Sequence, residues 1–383
     1  MRTIYRNNRE GMALAMSIFA IVVIGALIAG AFFASNQDFK IGRNSLVAQR
    51  AFTAAEFGLN QTMGGWDQKL NLAIPVGKDT TFAYVTGDGG TTNVRVTRLN
   101  DYSYWFVSEG IAGANTPVET RRRTSAVMRL AYPAVKVGGA LTLAGGGYVK
   151  GSAVVSGKNV DPPGWQCADY PGRDTTAVSY APGTTVTVQK TQNVIGNPAT
   201  YADSNAGSSG TYVKYGDETW TSLVQNADIT INSDLDPLPV GTATTCNIAS
   251  PNNLTNWGEP IHDGTGVVGC QTYFPIIHVT TDFHVNNGRG QGILLIDGSL
   301  QVNGNFQFNG LIIIRDKIMR GNGNPMITGA VMAANAAINE TNADGSAILG
   351  NADFQYSKCA LETALRGSAR LVPAKKRAWA EMW

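Results

Sequence analysis

The N-terminal part of the chain carries a long apolar run. No residue from Met12 to Gln37 is charged, and the 24 residues Met12–Ser35 are almost all apolar or small. A helix of that length spans about 36 Å, which exceeds the ~30 Å hydrocarbon core of a bilayer. Because only a helix satisfies its own backbone hydrogen bonds in lipid, this run predicts one membrane-spanning helix.

The pattern after the apolar run predicts that the same helix continues. Val47, Ala51, Ala54 and Gly58 follow one another at helical spacing, which places small side chains along one face. Such a face needs another element to pack against it. We therefore predict a single helix over residues 12–62, whose second half packs on the globular part of the chain.

Residues 63–133 show the pattern of strands joined by tight turns. Asn93–Arg98 alternates polar and apolar positions, and Tyr102–Ile111 is rich in aromatic and β-branched residues. A further strand is predicted from Thr120 to Leu130, after a polar turn. Together these segments predict a small antiparallel sheet packed on the helix, with Arg121–Arg123 at a solvated strand end.

Glycines recur every six residues in two runs between residues 134 and 358. The runs are Gly139, Gly145, Gly151 and Gly157, and then Gly292, Gly298, Gly304 and Gly310. In the second run, apolar residues stand two and four positions after every glycine. Each hexad predicts a short strand with the glycine at the bend. Stacked hexads favour a β-solenoid, and an antiparallel meander with glycine turns is the alternative.

These patterns predict an α+β chain with five segments. They are residues 1–11 before the helix, the helix at 12–62, an antiparallel β head at 63–133, a glycine-rich β-solenoid-like domain at 134–358, and a C-terminal helix or tail at 359–383. Residues 160–283 are interpreted as a loop-rich insertion that decorates the solenoid. Trp379 and Trp383 share a face if the tail is helical, and would cap the body.

The distribution of charge excludes some functions. The formal net charge of +2 lies entirely in residues 1–11, which contain three arginines and one glutamate. The remaining chain is formally neutral, which argues against a protein that binds nucleic acid by neutralising phosphates. Basic residues before the apolar run favour a cytoplasmic N-terminus with the bulk outside.

The four cysteines predict disulfides rather than a metal site. Their even number in an exported domain indicates two bridges, and no C-x-x-C spacing is present. Cys246–Cys270 would close a local loop, and Cys167–Cys359 would tie the first glycine run to the end of the domain. We favour this pairing among the three that are possible.

No residue pattern indicates an enzyme, a cofactor or a metal. His278, Asp282 and His284 fall on one face if they share a strand, where we interpret them as solvated polar residues. No nucleophile-elbow, zinc-protease or phosphate-loop motif occurs. We expect no catalytic residues. A β-solenoid that cleaves polysaccharide would need clustered carboxylates, and the hexad strands contain few acidic residues.

Three interpretations of the N-terminal region compete. A cleaved secretory signal needs a shorter apolar core and a small-residue cleavage site, both of which are missing here. A plain signal anchor is the second. The third is a prepilin, because Gly11 stands between a short basic leader and the apolar helix, where prepilin peptidase would cut before Met12.

The region resembles PilX-like type IV pilus assembly proteins, a family of minor pilins. The resemblance covers 55–60 residues and rests on the Gly11-bounded leader, the apolar helix, and the segment Ala54, Ala55, Glu56, Phe57, Gly58, Leu59. It implies a role for Ala54, Ala55, Glu56, Gly58 and Leu59 in helix packing. The mature fifth position is Met16, where major pilins carry glutamate, so the chain is more similar to minor pilins or type II secretion pseudopilins.

The resemblance implies a structural function. The expected role is a minor subunit in filament assembly or initiation, with surface adhesion as a further role. Expected partners are other pilins, prepilin peptidase, the inner-membrane assembly platform and membrane lipid before assembly, with no nucleic acid. The expected location is the cytoplasmic membrane, with the bulk periplasmic or extracellular. The alternative is a membrane-anchored extracytoplasmic solenoid that binds or processes polysaccharide.

Overall fold

The computed structural model describes residues 10–66, 74–248, 253–319, 323–334, 346–348, 351–374 and 378–382. The chain divides into two compact units. The first contains residues 1–66, 74–129 and 373–383, and the second contains residues 67–73 and 130–372. The structure is α+β, with one long N-terminal helix and many strands, as the sequence predicts.

The first unit is one helix and one antiparallel sheet. The helix α1 spans Glu10–Gly64, two residues longer at each end than predicted. The strands are β1 (Asp79–Val85), β2 (Thr91–Asn100), β3 (Ser103–Ala112) and β4 (Thr120–Ala131), with the C-terminal strand Trp379–Met382 paired antiparallel to β4.

Alternation of side chains decides which face of this sheet is buried. Val94 and Val96 on β2 are wholly buried, whereas the polar residues between them are exposed. Tyr104 and Phe106 on β3 are buried in the same way. The prediction of an antiparallel sheet packed on the helix is therefore confirmed.

The second unit is built of short strands and two short helices. In chain order the strands are β5 (Gly139–Leu143), β6 (Gly147–Val149), β7 (Val154–Ser156), β8 (Thr176–Tyr180), β9 (Val186–Val188), β10 (Val194–Ile195), β11 (Thr200–Ala202), β12 (Lys214–Tyr215), β13 (Glu218–Thr219), β14 (Ile229–Ile231), β15 (Ile276–Val279), β16 (Phe283–Val285), β17 (Gly288–Ile296), β18 (Leu300–Val302), β19 (Phe306–Ile314), β20 (Met326–Ala333), β21 (Ser346–Ile348), β22 (Asp353–Tyr356) and β23 (Arg370–Pro373). The helices are α2 (Trp220–Gln225) and α3 (Lys358–Gly367); the C-terminal strand of the first unit is β24.

The strands of the second glycine run pair in parallel. β17 pairs with β19 and β19 with β20 in a register that aligns Gly292 with Gly310 and Gly329. This parallel pairing excludes the antiparallel meander for these strands. The aligned glycines have φ between +110° and +141°, and a Cβ on Gly310 or Gly329 would collide with the carbonyl oxygen of the glycine before it. These three aligned positions therefore need glycine, because another residue would be strained at this φ and its Cβ would lack space.

One detail of the glycine prediction is corrected. Gly292 and Gly310 lie inside the nine-residue strands β17 and β19, rather than between hexads, because ladder bonding continues through the bend. Gly298 and Gly304 do lie between strands. Gly292 pairs with Gly310 and Ile293 pairs with Leu311, so residues that face each other on β17 and β19 are 18 positions apart. The structural repeat in this part of the chain is therefore three hexads long.

The two glycine runs, distant in sequence, meet in one parallel sheet. The first half of β20 pairs with β22 and its second half pairs with β5, so that Val331 lies opposite Leu141. β5 in turn pairs with β8, and β14 with β15. Ala177, Val178 and Ile231 on these strands are buried in the core. The interpretation of 160–283 as a decorating insertion is therefore wrong in part, since its strands complete the sheet.

Both faces of the long parallel strands are buried. Leu294 and Ile296, the apolar positions of the hexad, belong to one core cluster. The intervening Ile293 and Leu295 belong to a second cluster, which includes Leu361 of α3. The last four residues of β17, Ile293–Ile296, thus form a continuous apolar run, as is typical of parallel strands covered on both faces.

The C-terminal segment differs from its prediction. α3 confirms the helix expected at Cys359–Leu365. The segment containing Trp379 is the strand β24 rather than a helix, and extends the antiparallel sheet of the first unit. Trp383 lies outside the described residues.

Candidate functional site

The first half of α1 is an apolar surface that the chain itself leaves uncovered. Its side chains from Met12 to Leu46 are exposed, with Phe32 at 72% and Met16 at 67%. Among the described residues, Met12–Gly64 is the one helix long and apolar enough to cross a membrane. An uncovered apolar surface of this length requires lipid or another protein around it.

The second half of α1 packs on the antiparallel sheet through small residues. Ala51, Ala54, Ala55 and Leu59 are at most 2% exposed, and Gly58 is buried beside them. These include the small residues that the sequence places along one face. Glu56, the charged member of the predicted packing segment, is only half-buried and lies at the edge of this contact.

Two glycines allow the helix to approach the sheet backbone. A Cβ on Gly58 would collide with the Thr92 side chain, which is buried and shares a hydrogen bond of 2.9 Å between its Oγ1 and Ser108 Oγ. A Cβ on Gly110 of β3 would collide with the backbone of α1, at the carbonyl oxygen of Ala51 and the amide nitrogen of Ala55. Gly110 is not among the predicted packing residues, although an isolated glycine in a strand signals close backbone approach.

The predicted processing site lies at the beginning of α1. Gly11 and Met12 both belong to the helix, and Met12 is 66% exposed. Most of the predicted leader, residues 1–9, lies outside the described residues. Processing at Gly11 stays a prediction.

The structure contains both disulfides that the sequence favours. Cys167 and Cys359 have Cα atoms 5.4 Å apart, and those of Cys246 and Cys270 are 4.6 Å apart. Cys167 lies between β7 and β8, and Cys359 is the second residue of α3, so the first bridge joins the segment after the first glycine run to α3. Asp161 is close to the Cys167–Cys359 sulfurs, but bonded sulfurs are not available as thiolate ligands.

The histidines do not share one solvated face. The strand ends at Val279 and a new one begins at Phe283, which separates His278 from His284. His278 is only 6% exposed, and its Nε2 lies 2.9 Å from Asp297 Oδ2. The interpretation of His278 as a solvated residue is therefore wrong. His284 instead contacts Asp234, at 3.3 Å.

Two buried glutamates are neutralised by arginines that are distant in sequence. Glu259 is fully buried and receives two hydrogen bonds of 2.9 Å from the Nε and Nη2 of Arg289. Glu218, at 3% exposure, accepts hydrogen bonds at its Oε1 from the Nε and Nη2 of Arg370, at 3.0 and 2.9 Å. A carboxylate this buried needs its partner, because the unpaired charge would be strongly destabilising. No spacing in the sequence reveals either pair.

Burial also shifts the pKa of several groups in the second unit, among them His262 and Asp353. His262 stacks on Trp165 with ring centroids 4.8 Å apart, and burial lowers the pKa of its imidazole. Burial raises the pKa of the Asp353 carboxyl, whose Oδ1 accepts no hydrogen bond from the described residues.

Comparisons with known proteins find a limited similarity. No protein-family model matches the chain, and no curated protein matches it. Among solved structures, the crystal structure of the competence-associated pilin ComZ from Thermus thermophilus is similar, at 12% sequence identity and a TM-score of 0.24. The match covers 88% of this chain and 97% of that chain. At such identity and TM-score, the proposed function has to rest on this chain's own residues.

Proposed function

We propose that this chain is a minor pilin-like structural subunit of a type IV pilus or a type II secretion pseudopilus. The observation that carries the proposal is the division of α1 into two halves. One half is apolar and uncovered, and the other is fixed to the chain's own antiparallel sheet. A helix of this kind can rest in the membrane and then exchange lipid for the helices of neighbouring subunits.

Several features support a minor rather than a major subunit. Met16 occupies the position at which a major pilin carries glutamate, and a thioether cannot pair with a neighbour's terminal amine. In addition to the unit of helix and antiparallel sheet, the chain has a second unit of more than 200 residues. A major subunit that only repeats along a filament has no need of such a large extra unit. Head-to-tail packing joins two different surfaces of neighbouring subunits and produces open filaments when the rotation does not close, which fits an assembly role.

The parallel strands of the second unit support a β-solenoid as its finer architecture. The aligned glycines and the three-hexad repeat fit coils stacked on one another. In this proposal prepilin peptidase removes residues 1–11. The N-terminus of the chain lies in the cytoplasm before cleavage. The second unit lies outside the cytoplasmic membrane, where it serves filament initiation or surface adhesion.

The proposal is tested by fractionation of cells that produce the chain. Filaments sheared from the surface should contain it, and a Gly11→Val variant, which blocks cleavage before Met12, should stay in the membrane. A Gly25→Val variant is the matched control, because Gly25 lies in the same helix with open space around it. Equal amounts of wild-type and Gly11→Val chain in sheared filaments would contradict the proposal.

A further inference from the structure

The second unit carries a groove beside the parallel strands. Its volume is about 450 Å³, within the range of small-ligand sites. It is lined by residues of β17, β19, β20 and the turns before these strands, together with Leu238 and Ile261. We call it the amide groove and define it by the side chains that the argument uses, which are Asn287, Arg289, Asn305, Gln307, Asn324 and Met326.

Three asparagines form a ladder along the groove. The backbone N–H of Asn305 donates to Asn287 Oδ1 at 3.1 Å, and Asn324 Nδ2 donates to Asn305 Oδ1 at 3.2 Å. All three residues are exposed. The ladder fixes the orientation of the amides, so that a ligand would meet donors and acceptors at set positions.

A second row of side chains runs beside the ladder. Arg289, Gln307 and Met326 are aligned in the register of β17, β19 and β20. The Gln307 amide makes no hydrogen bond to any described residue and is half-exposed. Since neighbouring strands are about 4.8 Å apart, the asparagines of the ladder and the side chains of this second row both repeat at about that distance.

The described lining of the groove has no net charge. Among these residues Arg289 is the one that is ionised, and the buried Glu259 carboxylate neutralises it. The fork uses Nε and Nη2, so Nη1 keeps its N–H donors free of described partners. A charged ligand would therefore find no uncompensated counter-charge.

The groove also offers aliphatic surface. Leu238 is 52% exposed and Met326 is 50% exposed, and both line the groove. Hydroxyl groups both donate and accept, as amides do, and the C–H face of a sugar ring packs on aliphatic carbon. A pyranose unit is comparable in length to one strand spacing, so a linear glycan matches the repeat of both rows.

From this combination we infer that the amide groove binds a neutral polysaccharide, laid across successive strands. A nucleic acid or an acidic glycan would lack cationic partners, and an apolar peptide would leave the amides unpaired. The inference goes beyond the proposed assembly role, because it concerns the second unit and does not depend on filament formation.

Binding is tested with the purified full chain in a detergent without a sugar headgroup. The probes are immobilised neutral oligosaccharides of the gluco-, manno- and chito- series, with alginate and hyaluronan fragments as acidic counterparts. The variants are Gln307→Ala and Asn324→Ala, each expected to weaken binding about threefold to tenfold, the effect of losing one hydrogen bond. Gln225→Ala is the matched control, because Gln225 is an exposed amide on α2, outside the groove.

The expected result is binding of at least one neutral series that falls in both groove variants and not in Gln225→Ala. Absence of binding to every neutral probe would overturn the inference, as would equal binding by all variants. Binding restricted to acidic probes, weakening with salt, would overturn it as well. Unchanged unfolding temperatures show that the variants fold. If the binding inference fails while the chain is still recovered normally in sheared filaments, the proposed role in filament assembly is unaffected.

Discussion

Gly110→Ala is the sharpest test of the contact between α1 and its sheet. The added Cβ would collide with the Ala51 carbonyl oxygen and the Ala55 nitrogen, which are backbone atoms and cannot rotate away. The helix must therefore retreat by on the order of 1 Å to restore an ordinary contact of about 3.5 Å.

The retreat weakens the packing of four buried residues. Ala51, Ala54, Ala55 and Leu59 all face the sheet at no more than 2% exposure. A gap of 0.5–1 Å forfeits about a quarter to a half of each dispersion contact, and overpacked sites lose about 1–3 kcal/mol. We expect a loss of about 2–3 kcal/mol in the local stability of this contact.

Hydrogen exchange of the full chain in micelles measures that loss. In peptides covering residues 51–62, a loss of 2–3 kcal/mol should speed exchange about 30- to 150-fold. Gly87→Ala is the control, because Gly87 is exposed in a turn and a Cβ there meets nothing within 4 Å. Exchange in Gly110→Ala that matches both wild type and Gly87→Ala would refute the close-contact reasoning.

Two other predictions concern the second unit. Replacing Cys167 and Cys359 together by Ala removes the bridge that ties α3 to the first glycine run; the loss should be about 2–5 kcal/mol and appear as faster exchange across residues 358–367. The Cys246→Ala, Cys270→Ala chain is its control, and unchanged protection of α3 in the first variant would contradict the role of the bridge. Asp353→Asn should raise the unfolding temperature at pH 7, because burial raises the pKa of Asp353 in the folded state and its ionisation opposes folding. The penalty is absent when the carboxyl is protonated in both the folded and the unfolded state, and it grows as the pH rises above the unfolded pKa. The higher unfolding temperature of Asp353→Asn should therefore disappear near pH 3. A gain in unfolding temperature that does not depend on pH would contradict this prediction.

The sequence predicted elements whose signal is local. The apolar run and small-residue face predicted α1 to within two residues at each end, and alternation predicted the antiparallel strands. Of the three possible cysteine pairings, the one that the sequence favours is present, with both bridges. In each case the determining residues stand close together or are few enough to enumerate.

The order of strands in the second unit could not be predicted. Hexads indicate that strands stack, but no residue in β20 reveals that half of it pairs with β22 and half with β5. The strands β8 and β14 have no glycine period, and the latter has only three residues. Tertiary packing decides such short strands more than their own propensity does.

The amide groove was equally invisible in the sequence. Asn287, Asn305 and Asn324 are 18 and 19 residues apart, and their alignment depends on the coil length of the folded unit. The ion pair of Glu259 with Arg289 joins residues 30 apart, with no rule of spacing between them. Gly110 differs, since a lone glycine inside an aromatic strand is a readable signal.

The mass of the mature N-terminal peptide tests the central claim most directly. The full chain is recovered from the membrane and sheared filaments of producing cells, digested, and its N-terminal peptide sequenced by tandem mass spectrometry. The proposed function predicts a peptide that begins at Met12, since cleavage follows Gly11. A chain that retains Met1, or one cut after Ala34, would contradict it.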